Sequence, residues 1–451
     1  MGRLFGTDGA RGIAVTELTC ETAMQIGRAA ALVLTKTMSH KPVIFIGKDT
    51  RISSDILEAA LAAGICSVGA DVKILGVVPT PAVAYLVRNS NADAGIMISA
   101  SHNSVEFNGI KLFASSGYKL SDEIEEEIEE LILDRPQDIK LVSDTAVGRI
   151  YHYENAAKTY SDYIKNIADA DVSGLKVALD CANGSASATA KELFSSLGCE
   201  CMLISDSPDG TNINKNCGST HIEQLQEFVR NNKCDAGFAF DGDADRCLAV
   251  DENGELIDGD KLIALNALEM KKKGILKNNT AVVTVMTNIG FRHFARENQI
   301  NTEFTGVGDR YVLERMLEGG FNIGGEQSGH IIFLDHATTG DGQLSAVKTL
   351  CVLADSKMKM SELASVMEVY PQVLVNVKIT AASKGKWKTI PEITDAVSRC
   401  EAELGDDGRI LVRESGTEPL IRIMIEGKDT DEIRRLADSV ADIIKENLET
   451  C

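Results

Sequence analysis

The chain has 451 residues, 44% apolar and 25% charged, the profile of a globular rather than a disordered protein, with room for roughly two to four domains. Its net charge of −21 disfavours nonspecific binding to nucleic acid or an anionic membrane, so any phosphate it takes must be met by locally gathered arginines and lysines. No stretch reaches the roughly 18 apolar residues of a membrane span, the opening Met1-Gly2-Arg3-Leu4-Phe5-Gly6 lacks a secretory core, and the 11 cysteines are odd in number and scattered through apolar segments. Together these features predict a cytoplasmic protein with free thiols and no membrane insertion.

In chain order, Gly6-Thr7-Asp8-Gly9-Ala10-Arg11-Gly12 is a glycine-rich loop that brings Arg11 but lacks the P-loop pattern. Residues 43–47 predict a buried strand, 56–68 a helix and 72–77 a second strand, the alternation of an α/β sheet. The apolar run 94–98 feeds into Ser99-Ala100-Ser101-His102-Asn103, where a serine at a strand end beside a histidine is a candidate nucleophile. Downstream, Asn108-Gly109-Ile110-Lys111 predicts a tight turn and supplies a cation. Residues 121–133 predict a helix capped by Ser121, its glutamate run forming a solvated face. The strand pattern restarts at 176–180 and 281–285, giving three α/β units. The end of the chain differs: residues 372–377, 409–413 and 420–425 predict strands, 391–404 and 429–448 helices, and 381–386 a loop.

Three motifs could carry chemistry. In Asp241-Gly242-Asp243-Ala244-Asp245-Arg246 three carboxylates at period two follow a strand and can converge on one hard cation. A calcium EF-hand is excluded because Arg246 stands at the loop's sixth position, where glycine is needed; so few protein ligands favour Mg²⁺. Gly324-Gly325-Glu326-Gln327-Ser328-Gly329-His330 can hydrogen-bond sugar hydroxyls and offers His330 as an acid/base. Arg413-Glu414-Ser415-Gly416-Thr417-Glu418-Pro419, with Arg422 beyond it, suits a phosphate held by backbone N–H groups and guanidinium forks.

In this order and spacing, Gly6 to Gly9, Ser99 to Asn103, Asp241 to Arg246, Gly325 to His330 and Arg413 to Pro419 resemble the α-D-phosphohexomutase family across some 410 residues. Glu326-Gln327-Ser328, Val307 to Val312 and Pro208 to Asn214 resemble its glucosamine-phosphate branch. The resemblance implies three similar mixed-sheet α/β domains at 1–152, 153–253 and 254–369, with a smaller α+β domain at 370–451, around a central cleft. It implies interconversion of glucosamine 6-phosphate and glucosamine 1-phosphate through a phosphoserine and a 1,6-bisphosphate, feeding amino-sugar and cell-wall precursor synthesis.

Under that resemblance Ser101 carries the phosphoryl group, and Asp241, Asp243 and Asp245 hold Mg²⁺ with a phosphoserine oxygen. Arg11, Lys111 and Arg246 stabilise transferring charge, His330 and Lys111 are the candidates for proton transfer, and His102 positions the loop. Glu326, Gln327 and Ser328 bind the sugar, and Arg413, Ser415, Gly416, Thr417 and Arg422 bind the distal phosphate. A sugar bisphosphate such as glucosamine 1,6-bisphosphate is the implied activator, a homodimer the implied assembly, and a diadenylate cyclase a partner known for some members of the branch. The alternatives are a phosphomannomutase or phosphoglucomutase, and a weakly active regulatory binding protein. Two departures stand out: Gly306 replaces a frequent lysine before Val307-Gly308, and Ser104 replaces a proline, which predicts a looser catalytic loop.

Overall fold

The computed structural model describes residues 2–6, 8–414 and 419–448. Two compact units emerge: one runs to Met286 and resumes over Ile300–Val366, and the other comprises Thr287–Gln299 with the chain from Met367 onward. Among the described residues, no helix is long and apolar enough to cross a membrane and the cysteines are free.

The first unit holds three mixed sheets. The first has the order Ala10–Ile13, Phe107–Ala114, Ala94–Ile98, Val43–Lys48, Asp71–Val77, Ile150–His152. Ala94–Ile98 is buried throughout, parallel to Val43–Lys48 and antiparallel to Phe107–Ala114. That is why the run reads as continuously apolar rather than alternating. The second sheet has the order Leu256–Ile257, Cys247–Asp251, Ala236–Phe240, Lys176–Asp180, Glu200–Ile204; the third is Asn301–Thr305, Thr280–Thr284, Ile323–Gly325, Ile331–Phe333. In the second unit Leu420–Gly427 lies between Gln372–Lys378 and Gly408–Glu414, antiparallel to both, with helices Pro391–Leu404 and Thr430–Asn447.

Two expectations are corrected. Asn108 to Lys111 make no turn; they lie inside the strand Phe107–Ala114. The Asn108 amide donates to Ser53 and Ser54, and a Cβ on Gly109 would stand 2.5 Å from the Ser99 carbonyl, so the pair serves close strand packing. On helix Asp122–Leu133 the glutamates are not all solvated: Glu129 is buried and accepts the backbone N–H groups of Arg3, Leu4 and Phe5 at 2.6–2.8 Å.

Candidate active site

Ser101 sits just past the buried strand Ala94–Ile98 with φ = +54°, a left-handed backbone uncommon for a residue bearing a Cβ. Its N–H donates to Ser99 Oγ at 2.9 Å, and Ser99 Oγ in turn donates to buried Asp49 at 2.7 Å. The Ser101 hydroxyl donates to Asp241 Oδ2 at 2.6 Å and lies 3.2 Å from His102 Nδ1. Burial, reinforced by Arg246 and Arg11, pushes His102 down to about 4, so its ring is neutral near pH 7.

Asp241, Asp243 and Asp245 lie on the connection between the antiparallel strands Ala236–Phe240 and Cys247–Asp251. All three are buried, and one carboxylate oxygen from each lies within 4.8 Å of the others. Burial and the two neighbouring carboxylates push the Asp241 carboxyl well above its usual range. Lys111 Nζ approaches Asp243 at 2.8 Å and Asp245 and Asp8 at 3.2 Å, and Thr80 Oγ1 donates to Asp243 at 2.6 Å. The Oδ1 atoms of Asp243 and Asp245 have no hydrogen-bond partner among the described residues. An all-oxygen donor set with two buried, unpartnered oxygens fits a small hard divalent cation.

An open cavity is lined by Asp8, Arg11, Asp245, Arg246, Val307, Gly308, Asp309, Glu326 and His330. A backbone bridge between Arg246 and His330 joins the aspartate loop to the glycine-rich turn. Both His330 ring nitrogens are buried without a hydrogen bond among the described residues, Nε2 lying 3.7 Å from Asp309. Glu326 accepts the Gly308 N–H at 3.1 Å, Ser328 is exposed, and the Gln327 amide is already engaged, donating to Asp258 at 3.2 Å. Among the described residues a Cβ at Gly306 would meet only the Tyr311 ring at 3.6 Å, so a side chain there is sterically acceptable.

In the second unit, Arg413 and Arg422 face each other across two antiparallel strands. Burial, then the neighbouring Arg422 charge, lowers the Arg413 guanidinium. Ser415, Gly416 and Thr417 lie outside the described residues.

The sequence reading missed a relay of charge behind the site. Lys119 Nζ donates to Asp8 at 2.6 Å and to Asp309 at 2.5 Å, and Asp8 also contacts Lys111 and pairs with Arg11. Burial opposes ionisation of Asp8, but Lys111, Lys119 and Arg11 hold it well below its usual range. The signal available was Asp8 within an already noted motif; nothing local marks Lys119.

Four family models tile the chain: phosphoglucomutase/phosphomannomutase α/β/α domain I at residues 2–138, domain II at 158–254, domain III at 258–370 and the C-terminal domain at 374–443. The chain is 56% identical over 450 residues to the phosphoglucosamine mutase of Caldicellulosiruptor saccharolyticus, covering 99% of this chain and 100% of that one. It is 55% identical over 448 residues to that of Acetivibrio thermocellus, with the same coverage. A crystal structure of a phosphoglucomutase/phosphomannomutase family protein from Burkholderia thailandensis superposes with a TM-score of 0.82 at 24% identity, covering 99% of this chain and 98% of the other. With all four domain types matched in order and full-length relatives above half identity, the chain belongs to the phosphoglucomutase/phosphomannomutase family.

Proposed function

We propose that the chain is a mutase interconverting glucosamine 6-phosphate and glucosamine 1-phosphate through phospho-Ser101 and glucosamine 1,6-bisphosphate. The reading is carried by the Ser101 hydroxyl, 2.6 Å from Asp241 in a loop whose other two carboxylates keep buried oxygens unpartnered among the described residues. The full-length likeness to phosphoglucosamine mutases supports the choice of sugar.

In the first half-reaction the bond from phosphorus to Ser101 Oγ breaks as a bond to the sugar's free hydroxyl oxygen forms, and the hydroxyl proton passes to a base. The bisphosphate then reorients. Ser101 Oγ takes the other phosphoryl group, and the departing sugar oxygen recovers a proton. Asp241, Asp243 and Asp245, with a phosphoserine oxygen, would hold one Mg²⁺, which offsets their charge and that of a phosphate of about −1.5 to −2 and polarises the transferring group.

The protein's own groups divide the remaining work. Lys111 donates to Asp243 and Asp245 and pairs with Asp8, and so holds the cluster together rather than taking a proton. His330, with both ring nitrogens unbonded among the described residues, is the acid/base of this reading. Arg246, whose Nε is buried and unpartnered among the described residues, and Arg11 meet the transferring phosphoryl charge. Glu326 and Ser328 hold sugar hydroxyls, and Gln327 fixes the turn through Asp258. Arg413 and Arg422, with Ser415, Gly416 and Thr417, bind the phosphate that is not transferring. A sugar bisphosphate primes Ser101; a cytoplasmic homodimer and a cyclase partner complete the reading.

The test compares kcat/KM on glucosamine 6-phosphate, glucose 6-phosphate and mannose 6-phosphate, with intact mass measured after exposure to a sugar bisphosphate. Preference for glucosamine 6-phosphate and a gain of one phosphate on Ser101 are expected. Preference for either other sugar overturns the substrate, and failure ever to acquire phosphate overturns the mechanism.

A further inference from the structure

The left-handed backbone at Ser101 is unfavourable for a residue with a Cβ, so something must hold it. Two side chains converge on this segment. Arg51, fully buried, has five N–H donors and spends all five. Nε donates to Asp49 at 2.9 Å, Nη1 to the carbonyls of Ser104 and Phe107, and Nη2 to those of Ser101 at 3.1 Å and Asn103 at 2.8 Å. Four of the five thus restrain the catalytic loop. From the second sheet's side, the Asn214 amide donates to the same Ser101 and Asn103 carbonyls at 2.8 and 2.9 Å. Each of these two carbonyls therefore accepts two hydrogen bonds, one from each side chain. The aspartate loop closes in on the same atom: a Cβ on Gly242 would stand 2.5 Å from the Ser101 carbonyl and 3.0 Å from the Asn214 amide nitrogen.

We propose that Arg51 and Asn214 are positioning residues that clamp the Ser101 and Asn103 carbonyls and thereby aim the Ser101 hydroxyl at the aspartate cluster. The clamp ties the serine loop to both flanking sheets, so the nucleophile keeps its register with Asp241 although Ser104 supplies no proline stiffness. It does so through backbone carbonyls, leaving the hydroxyl free to react. This inference rests on the mutase reading for its kinetic consequence, not for its geometry.

Asn214→Gly is the informative variant. Asn214 itself has φ = +56°, which glycine adopts without strain, so the amide is removed while the backbone is spared. Asn214→Asp keeps the size but replaces the donor with an acceptor facing two carbonyls. Both variants should lower kcat by about ten- to hundredfold with KM nearly unchanged, because displacement of a reacting atom by about 1 Å costs that much. Asn214→Gly should leave Tm nearly unchanged, whereas the acceptor of Asn214→Asp facing two carbonyls should lower it. Hydrogen exchange over residues 100–107 should quicken in both and stay level elsewhere. A kcat within twofold of the parent, or a loss matched by a loss of folded protein, overturns the kinetic role. Unchanged exchange over residues 100–107 overturns the clamp whatever the enzyme's substrate. A parent enzyme inactive on glucosamine phosphates would instead defeat the functional reading, and the exchange result would still decide the clamp.

Discussion

Asp241, Asp243 and Asp245 in the first unit and Arg413 with Arg422 in the second are both clusters of like charge, but they are answered differently. The carboxylates are buried and partly neutralised from within: Lys111 bridges Asp243 and Asp245, and Lys119 continues the alternation from Asp8 to Asp309. The arginines sit directly opposite on neighbouring strands, a pairing that costs stability, and Arg422 Nε is buried without a partner among the described residues. Under the proposed function the carboxylates serve bond making and breaking and must keep one geometry, which their built-in counter-charges secure. Under the same function the arginine pair binds a phosphate that comes and goes, so its counter-charge is left to the ligand.

The largest break in this contrast comes from the nucleophile. Ser101→Ala should remove turnover by about four orders of magnitude or more and abolish phosphate incorporation seen by intact mass; residual activity would move the nucleophile, with Ser99 next in line. Asp243→Asn should follow, cutting kcat by about 10²–10³-fold. The same variant separates charge from ligation: Tm of the parent should rise with added MgCl₂ and fall with chelator, and in the variant that rise should be largely lost. Equal Mg²⁺ responses would remove Asp243 from the ligand set.

Arg413→Ala probes the other pole. It should raise KM for sugar phosphates about ten- to hundredfold while leaving the Mg²⁺-dependent Tm shift and the phosphate content of Ser101 intact. Loss of the Mg²⁺ response would show the two clusters are not independent. The gentlest test concerns Asp341, a buried carboxyl held by neutral donors, the Tyr160 hydroxyl at 2.8 Å and the Leu344 N–H at 2.9 Å. Burial pushes it up to about 7. Between about pH 4 and pH 7 the folded state then holds a proton the unfolded chain has lost, so stability falls as pH rises through that window and levels off above it. Asp341→Asn accepts the same two hydrogen bonds without a charge. Its Tm advantage over the parent should grow by a few degrees from about pH 5 to pH 7.5, and a flat difference would place the charge cost elsewhere.

Legibility followed the range of the interactions. The helix Pro391–Leu404 falls where the sequence predicts it, because a proline in the first turn and a periodic apolar face are local signals. The aspartate loop was legible for the same reason, its three carboxylates lying within five residues. Asn108-Gly109 misled because its partners Ser53 and Ser54 are 55 and 54 residues away, and a local reading sees only a turn signal. Lys119 was invisible on the same ground: its partners are 111 and 190 residues distant. Arg51 and Asn214, 163 residues apart, come together only at the Ser101 and Asn103 carbonyls, which no local pattern marks.

The helix Ile289–Glu297 links the strands Thr280–Thr284 and Asn301–Thr305 of the first unit yet is part of the second. Its first residue donates its backbone N–H to buried Glu426 at 2.8 Å, and Asn288 donates to the Tyr370 carbonyl at 2.9 Å. Those partners lie 137 and 82 residues further along. On the ribosome this helix, with Phe291 and Phe294 on its buried face, is made long before the sheet that covers it. At about 5–20 residues per second it waits roughly 7–27 s for Glu426. A fragment starting at Met367 would lack the helix altogether, so the second unit is completed by chain already spent on the first.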